Sequence, residues 1–165
     1  MKVIVVMCLL TMLTGAVTMD LRTRRIANRY NLGWMLVGFI FNLLLGGVRA
    51  FLYSMLGALL PVMGLMILFK LGVLGAGDIK LLGAVGAFVG LDIVWVVVYS
   101  FILCGIYGMS LIVVRLFRYL KSKEKMVLLA GFLRGQIQYT KVAFSVFIFG
   151  GYIWYLVLGG VALGI

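Results

Sequence analysis

Apolar residues in this chain do not alternate with polar ones; they run in long blocks. A helix needs about 20 mostly apolar residues to cross the hydrocarbon core of a bilayer, which is about 30 Å thick. Six blocks approach that length, over residues 3–19, 31–48, 51–70, 79–91, 93–114 and 141–163. The pattern predicts an all-α polytopic membrane protein with six transmembrane helices in a single domain spanning residues 1–165. The fourth block is short, and Asp92, just after Gly90, marks its separation from the fifth. Without that break the two merge into a stretch too long for one simple span, and a five-helix layout results. The first block, with Lys2 ahead of it, has the outline of a signal peptide. It lacks a small-x-small cleavage site and runs straight into a charged segment, so it reads as a retained anchoring helix. Pro61 is expected to kink the third helix. Gly83, Gly86 and Gly90 are expected to let the fourth approach its neighbours closely.

Composition supports lipid as the solvent. Of 165 residues, 65% are hydrophobic and 12% charged, whereas a soluble domain is about half apolar and about a quarter charged. A chain this short cannot hide so much apolar surface from water.

The net charge of +11 would suit a nucleic-acid binder, but its distribution argues for topology instead. Arg22, Arg24, Arg25 and Arg29 fall in loop 20–30, and Lys70 and Lys80 flank loop 71–78. Arg115, Arg118, Lys121, Lys123, Lys125, Arg134 and Lys141 fall in or beside loop 115–140. Six spans put all three loops on one face, which the positive-inside rule makes cytoplasmic. Both termini then lie on the extracytoplasmic side of the inner membrane, with only Lys2 and Arg49 on that face. A five-helix layout would set the third basic group opposite the first. The cations therefore read as topology signals and lipid contacts, with no nucleic-acid partner. Met126-Val127-Leu128-Leu129 within the last loop suits an interfacial amphipathic segment, although a solvated loop attracting anionic headgroups is the plainer reading. No histidine is present, and Cys8 and Cys104 stand alone in apolar runs. A thiolate zinc site is thereby excluded, and no metal or cofactor is expected.

Four acidic residues remain. Glu124 sits among lysines as local charge balance, and Asp92 suits a helix N-cap. Asp20 and Asp78 differ, because each lies at the end of a predicted span. A carboxylate at membrane depth is costly and usually faces a partner or a watery cavity. The first helix ends and the fourth begins on the same face, so these two acids share a depth and can meet. Two carboxylates in one site hold a shared proton, because like-charge repulsion disfavours ionising both. The ionised member can take a proton from water and the neutral one can donate to a substrate carbonyl. That chemistry hydrolyses an amide without Ser, Cys or metal. The plainer alternatives are that Asp20 pairs with Arg22, Arg24 or Arg25, and that Asp78 pairs with Lys80 or caps the fourth helix. Spacing alone leaves these readings open. Gly75-Ala76-Gly77-Asp78 shifts the balance, because glycine permits unusual backbone angles and close approach of another chain beside an acid.

Two blocks, Asp20-Leu21-Arg22-Thr23-Arg24-Arg25-Ile26-Ala27-Asn28 and Gly75-Ala76-Gly77-Asp78-Ile79-Lys80-Leu81-Leu82, resemble those of the type IV prepilin peptidases among the GxGD aspartyl proteases. The helical layout extends the likeness over nearly the whole chain, and its length resembles the small peptidases of tight-adherence (Tad/Flp) pilus systems. The resemblance implies that Asp20 and Asp78 are the catalytic pair, with Gly75 and Gly77 shaping the backbone. It also implies cleavage of the short basic leader of prepilin or pseudopilin precursors at the cytoplasmic face. Lys80 is expected to hold lipid phosphate or tune the charge of the site, and Asn28 to hydrogen-bond within its loop. Ala27 stands where the family commonly has proline, which would loosen that loop. Larger members carry an N-terminal insert with paired cysteines linked to N-methylation; no such insert is seen here, so methyltransferase activity is not expected. The alternative class is a non-enzymatic membrane component, either a small proton-coupled transporter or an assembly scaffold. A transporter usually places its charge near the midplane of repeated halves. Here both acids lie toward one face.

Overall fold

The structure, a computed structural model, describes residues 2–121 and 143–160. All regular structure among the described residues is helical. In chain order the helices are α1 (Lys2–Thr23), α2 (Asn28–Gly64), α3 (Met66–Lys70), α4 (Ala76–Val89), α5 (Ile93–Lys121) and α6 (Phe144–Tyr155). A 3-10 turn, Gly90–Asp92, joins α4 to α5, and a π turn, Leu156–Gly160, follows α6. The expected loop 115–140, its amphipathic stretch and the start and end of the expected 141–163 helix lie partly or wholly outside the described residues.

Among the described residues, three helical stretches are long and apolar enough to cross a membrane: Val3–Thr23, Asn28–Lys70 and Ala76–Val114. A shorter apolar stretch covers Phe144–Leu158. The expected boundary between residues 48 and 51 corresponds to no loop. Helical structure continues from Asn28 to Gly64, interrupted only where Gly47 takes φ 68° and ψ −164°. Glycine alone adopts such angles without strain. At the other predicted break Gly90 has φ 65°, again a glycine conformation, and α4 ends there. Pro61 lies inside α2 near its end, and the Leu65 N–H returns to the Pro61 carbonyl where that helix stops.

The helix α4 is the centre of the fold. Ile79 and every residue from Leu81 to Phe88 are buried. Leu81, Leu82, Ala84, Val85 and Phe88 pack with Leu9, Met12, Leu13 and Ala16 of α1, Ile93 and Val96 of α5, and Ile148, Tyr152 and Tyr155 of α6. Between α2 and α4 the contact is backbone to backbone. A Cβ on Gly86 would stand 2.0 Å from the Gly57 carbonyl oxygen, and one on Gly38 would stand 2.9 Å from the Ala87 carbonyl carbon. Pro61 has no N–H to donate to the Gly57 carbonyl four residues back, so that oxygen is free to face α4. Asn42 Nδ2 donates to the Ala87 and Phe88 carbonyls at 2.9 and 3.1 Å, and the Ser54 hydroxyl donates to Ala87 as well. These side chains satisfy carbonyls that the end of α4 leaves without helical donors. On the outside, Leu36, Ile40, Leu44 and Leu52 of α2 and Val94, Ile102, Ile106 and Met109 of α5 are exposed, as helices bathed in lipid require.

Candidate active site

Asp20 lies in the last turn of α1, which continues past its expected end at residue 19. The helix stops where Arg24 takes φ 55°, its N–H closing on the Asp20 carbonyl at 2.9 Å. The Thr23 hydroxyl sits 2.9 Å from the carbonyls of both Met19 and Arg25 and braces the turn. The connection to α2 is therefore Arg24–Ala27, far shorter than a loop over 20–30. Ala27 forms the N-cap of α2 with φ −64° and ψ 132°. That φ is the one a proline ring imposes, so the alanine preserves the geometry expected of proline. Among the described residues its N–H makes no backbone hydrogen bond. Ala27→Pro should therefore stabilise the fold by about 0.4–1 kcal/mol, through restriction of the unfolded chain. The check is the thermal unfolding midpoint in detergent, and a lower midpoint would contradict the assignment.

Asp78 occupies the first turn of α4, behind the N-cap Gly75. Its carboxylate accepts a hydrogen bond from the Gly75 N–H, the arrangement of an acid at the third helical position reaching back to its cap. Gly75 has φ −79°, which any residue adopts. What it supplies is room, because a Cβ there would lie 3.0 Å from Asp78 Oδ2. At Gly77 a Cβ would reach only ordinary contact with Ile26, at 4.0 Å. The unusual angle in this segment belongs to Gly72, at φ 71° in the turn before the motif.

The start of α2 ties the two blocks together. Lys80 Nζ donates to Asn28 Oδ1 at 2.9 Å, and Asn31 Nδ2 donates to the Gly77 carbonyl at 3.4 Å. The Tyr30 hydroxyl donates to the Met12 carbonyl of α1 at 2.7 Å, over the space left by Gly15. Held this way, Asp20 and Asp78 are both partly buried, and the Asp20 charge is near enough to act on Asp78. Arg22, Arg25 and Arg29 are exposed.

Asp92 does not join this pair. It stands at the opposite end of α4, where the Tyr155 hydroxyl donates to its Oδ2 at 2.8 Å. Glu124 lies outside the described residues. Two neighbours of the site were not singled out from sequence. Asn31 is 4% exposed and its Oδ1 has no partner among the described residues. Ser145, near the start of α6, is fully buried and donates to Asp20 Oδ2 at 2.6 Å. The available signal was polarity inside an apolar block, since a buried amide or hydroxyl needs a partner.

Two carboxylates whose charges interact can share a proton, so one accepts a proton while the other donates. The sequence profile of the type IV leader peptidase family matches residues 6–109, a span that contains both aspartates. No curated protein and no solved structure matches the chain.

Proposed function

This chain belongs to the type IV leader peptidase family, and from that premise we propose that it is a membrane aspartyl endopeptidase working through Asp20 and Asp78. The observation that carries the reading is that Asp20, at the end of α1, lies near enough for its charge to act on Asp78 at the start of α4. One carboxylate, ionised, removes a proton from water as the water oxygen attacks the scissile carbonyl carbon. The other, protonated, donates to the carbonyl oxygen. Collapse of the tetrahedral intermediate breaks the C–N bond: the departing amine takes up the proton that the first carboxylate received, and the hydroxyl that becomes the new carbonyl returns its proton to the second carboxylate. No covalent enzyme intermediate forms. Gly75 leaves room beside Asp78, and the Asn28–Lys80 and Asn31–Gly77 bonds keep the two blocks in register.

The substrates are pilin-like precursors, with a short basic leader ahead of an apolar helix. The helix would lie in the bilayer against the peptidase, which puts the leader junction at the level of the aspartates. Six spans, with the site at the cytoplasmic face of the inner membrane and both termini outside, remain the topology we favour. The Asn28–Lys70 and Ala76–Val114 stretches, of 43 and 39 residues, are each about twice the length of one crossing. Each contains a positive-φ glycine partway along, Gly47 or Gly90.

The test uses the purified protein in lipid nanodiscs with a tagged precursor carrying a basic leader and an apolar helix. We expect a single new amino terminus at or near the leader junction, read by mass spectrometry. A precursor that stays intact, while the peptidase remains folded by thermal denaturation, would refute the proposal.

A further inference from the structure

We propose that Ser145 is a positioning residue for the reaction, holding the carboxylate of Asp20 in its working orientation. This rests on the reading of Asp20 as one of the two working acids. The region matching the family ends at residue 109, so nothing in that match speaks of α6. The structure nevertheless brings the start of α6 against the end of α1.

Three observations point the same way. Ser145 Oγ donates to Asp20 Oδ2 at 2.6 Å, within the range of a charge-assisted O–H···O⁻ bond. The serine is fully buried, so the bond does not compete with solvent. Its hydroxyl also behaves differently from that of Ser100, the buried serine on α5, which donates at 2.7 Å to the carbonyl of Val96 in its own helix. Ser145 spends its donor across the fold, on a carboxylate.

Helix polarity gives the bond a purpose. A carboxylate in the last turn of a helix lies at the end where carbonyl dipoles disfavour negative charge. Asp20 is so placed on α1. Ser145 lies in the first turn of α6, behind the N-cap Ala143, and that end of a helix favours an anion. The hydroxyl and the amino end of α6 offset what α1 imposes on Asp20. With Oδ2 engaged by Ser145 in one rotamer, Oδ1 is left to exchange the proton with water.

The experiment has two arms. In the cleavage assay, Ser145→Ala should lower kcat roughly ten- to a hundredfold, the scale of a lost hydrogen bond to a charged group, with KM changed by no more than about threefold. Ser145→Thr retains the hydroxyl and should recover most of the rate. Ser145→Cys, nearly isosteric with a weak S–H donor, should fall between them. Equal rates for Ala, Cys and Thr variants, or a change confined to KM, would overturn the assignment. The second arm needs no turnover. In protein carrying carboxyl-labelled aspartate, the infrared difference between wild type and Ser145→Ala should contain a carboxylate band that vanishes when the comparison is repeated in the Asp20→Asn background. An unchanged spectrum overturns the role of Ser145 whether or not the protein cleaves anything. Absent cleavage by the wild type, with the band shift present, would instead count against the protease reading alone.

Discussion

Asp20→Asn and Asp78→Asn should each reduce cleavage of a leader-bearing precursor by roughly 10²–10⁴-fold, the contribution expected of a positioned acid or base. The double variant should be hardly slower than either single one, because groups that act as a unit lose their joint effect together. Stability should be preserved. An asparagine at position 20 still offers an oxygen to the Ser145 hydroxyl, and removing one carboxylate relieves repulsion between the two. At position 78 the amide oxygen can still accept from the Gly75 N–H. Initial rates in nanodiscs, with thermal denaturation alongside, give the comparison. If either single variant cleaved at a near-wild-type rate, the paired-acid mechanism would be wrong. Asp92→Asn is the internal control, since that residue meets Tyr155 at the other end of α4.

The second large effect is expected far from the acids. Gly86→Val should cost at least the roughly 1–3 kcal/mol typical of overpacking and abolish cleavage while leaving both aspartates in place. The atoms that a Cβ at position 86 would meet are backbone, with the Gly57 oxygen at 2.0 Å and its carbon at 2.5 Å. No side chain can swing aside, so α2 and α4 must separate. Separation loosens the α2 residues that hold the start of α4, Asn28 and Asn31 among them. Gly33→Ala makes the contrast. Gly33 is exposed on α2 with nothing within 4 Å of its would-be Cβ, so alanine there should be neutral or should stabilise the helix by up to about 1 kcal/mol. The midpoint of unfolding in detergent should drop for the first variant and hold or rise for the second. Equal behaviour would contradict the close packing of the two helices.

Some of this was legible in the sequence for physical reasons. Carboxylates are rare in apolar blocks because lipid penalises them, so Asp20 and Asp78 stand out in the sequence. Asp92 reads in sequence as a helix N-cap apart from that pair, and in the structure its carboxylate accepts from Tyr155 at the other end of α4. Helix ends were less legible, because hydropathy measures burial in lipid and not helicity. Leu21, Arg22 and Thr23 continue α1 past its apolar block, and one glycine at position 47 interrupts a helix where a short loop was expected. The glycine motif was read partly for backbone freedom, whereas Gly75 contributes space beside Asp78 and Gly72 carries the unusual angle. Ser145 was not legible as a neighbour of Asp20. Contacts between residues so distant in sequence follow from how helices pack, which the sequence does not specify.

The burial of α4 has a consequence for how the enzyme meets membranes of different thickness. With 14 residues, α4 is about 21 Å long, short of the roughly 30 Å hydrocarbon core. A lipid-facing helix that short would have to thin the bilayer around it or recruit partners. From Leu81 to Phe88, however, α4 is surrounded by protein, so bilayer thickness does not dictate its length. The mismatch falls on α1, α2 and α5, which are long enough to tilt and adapt.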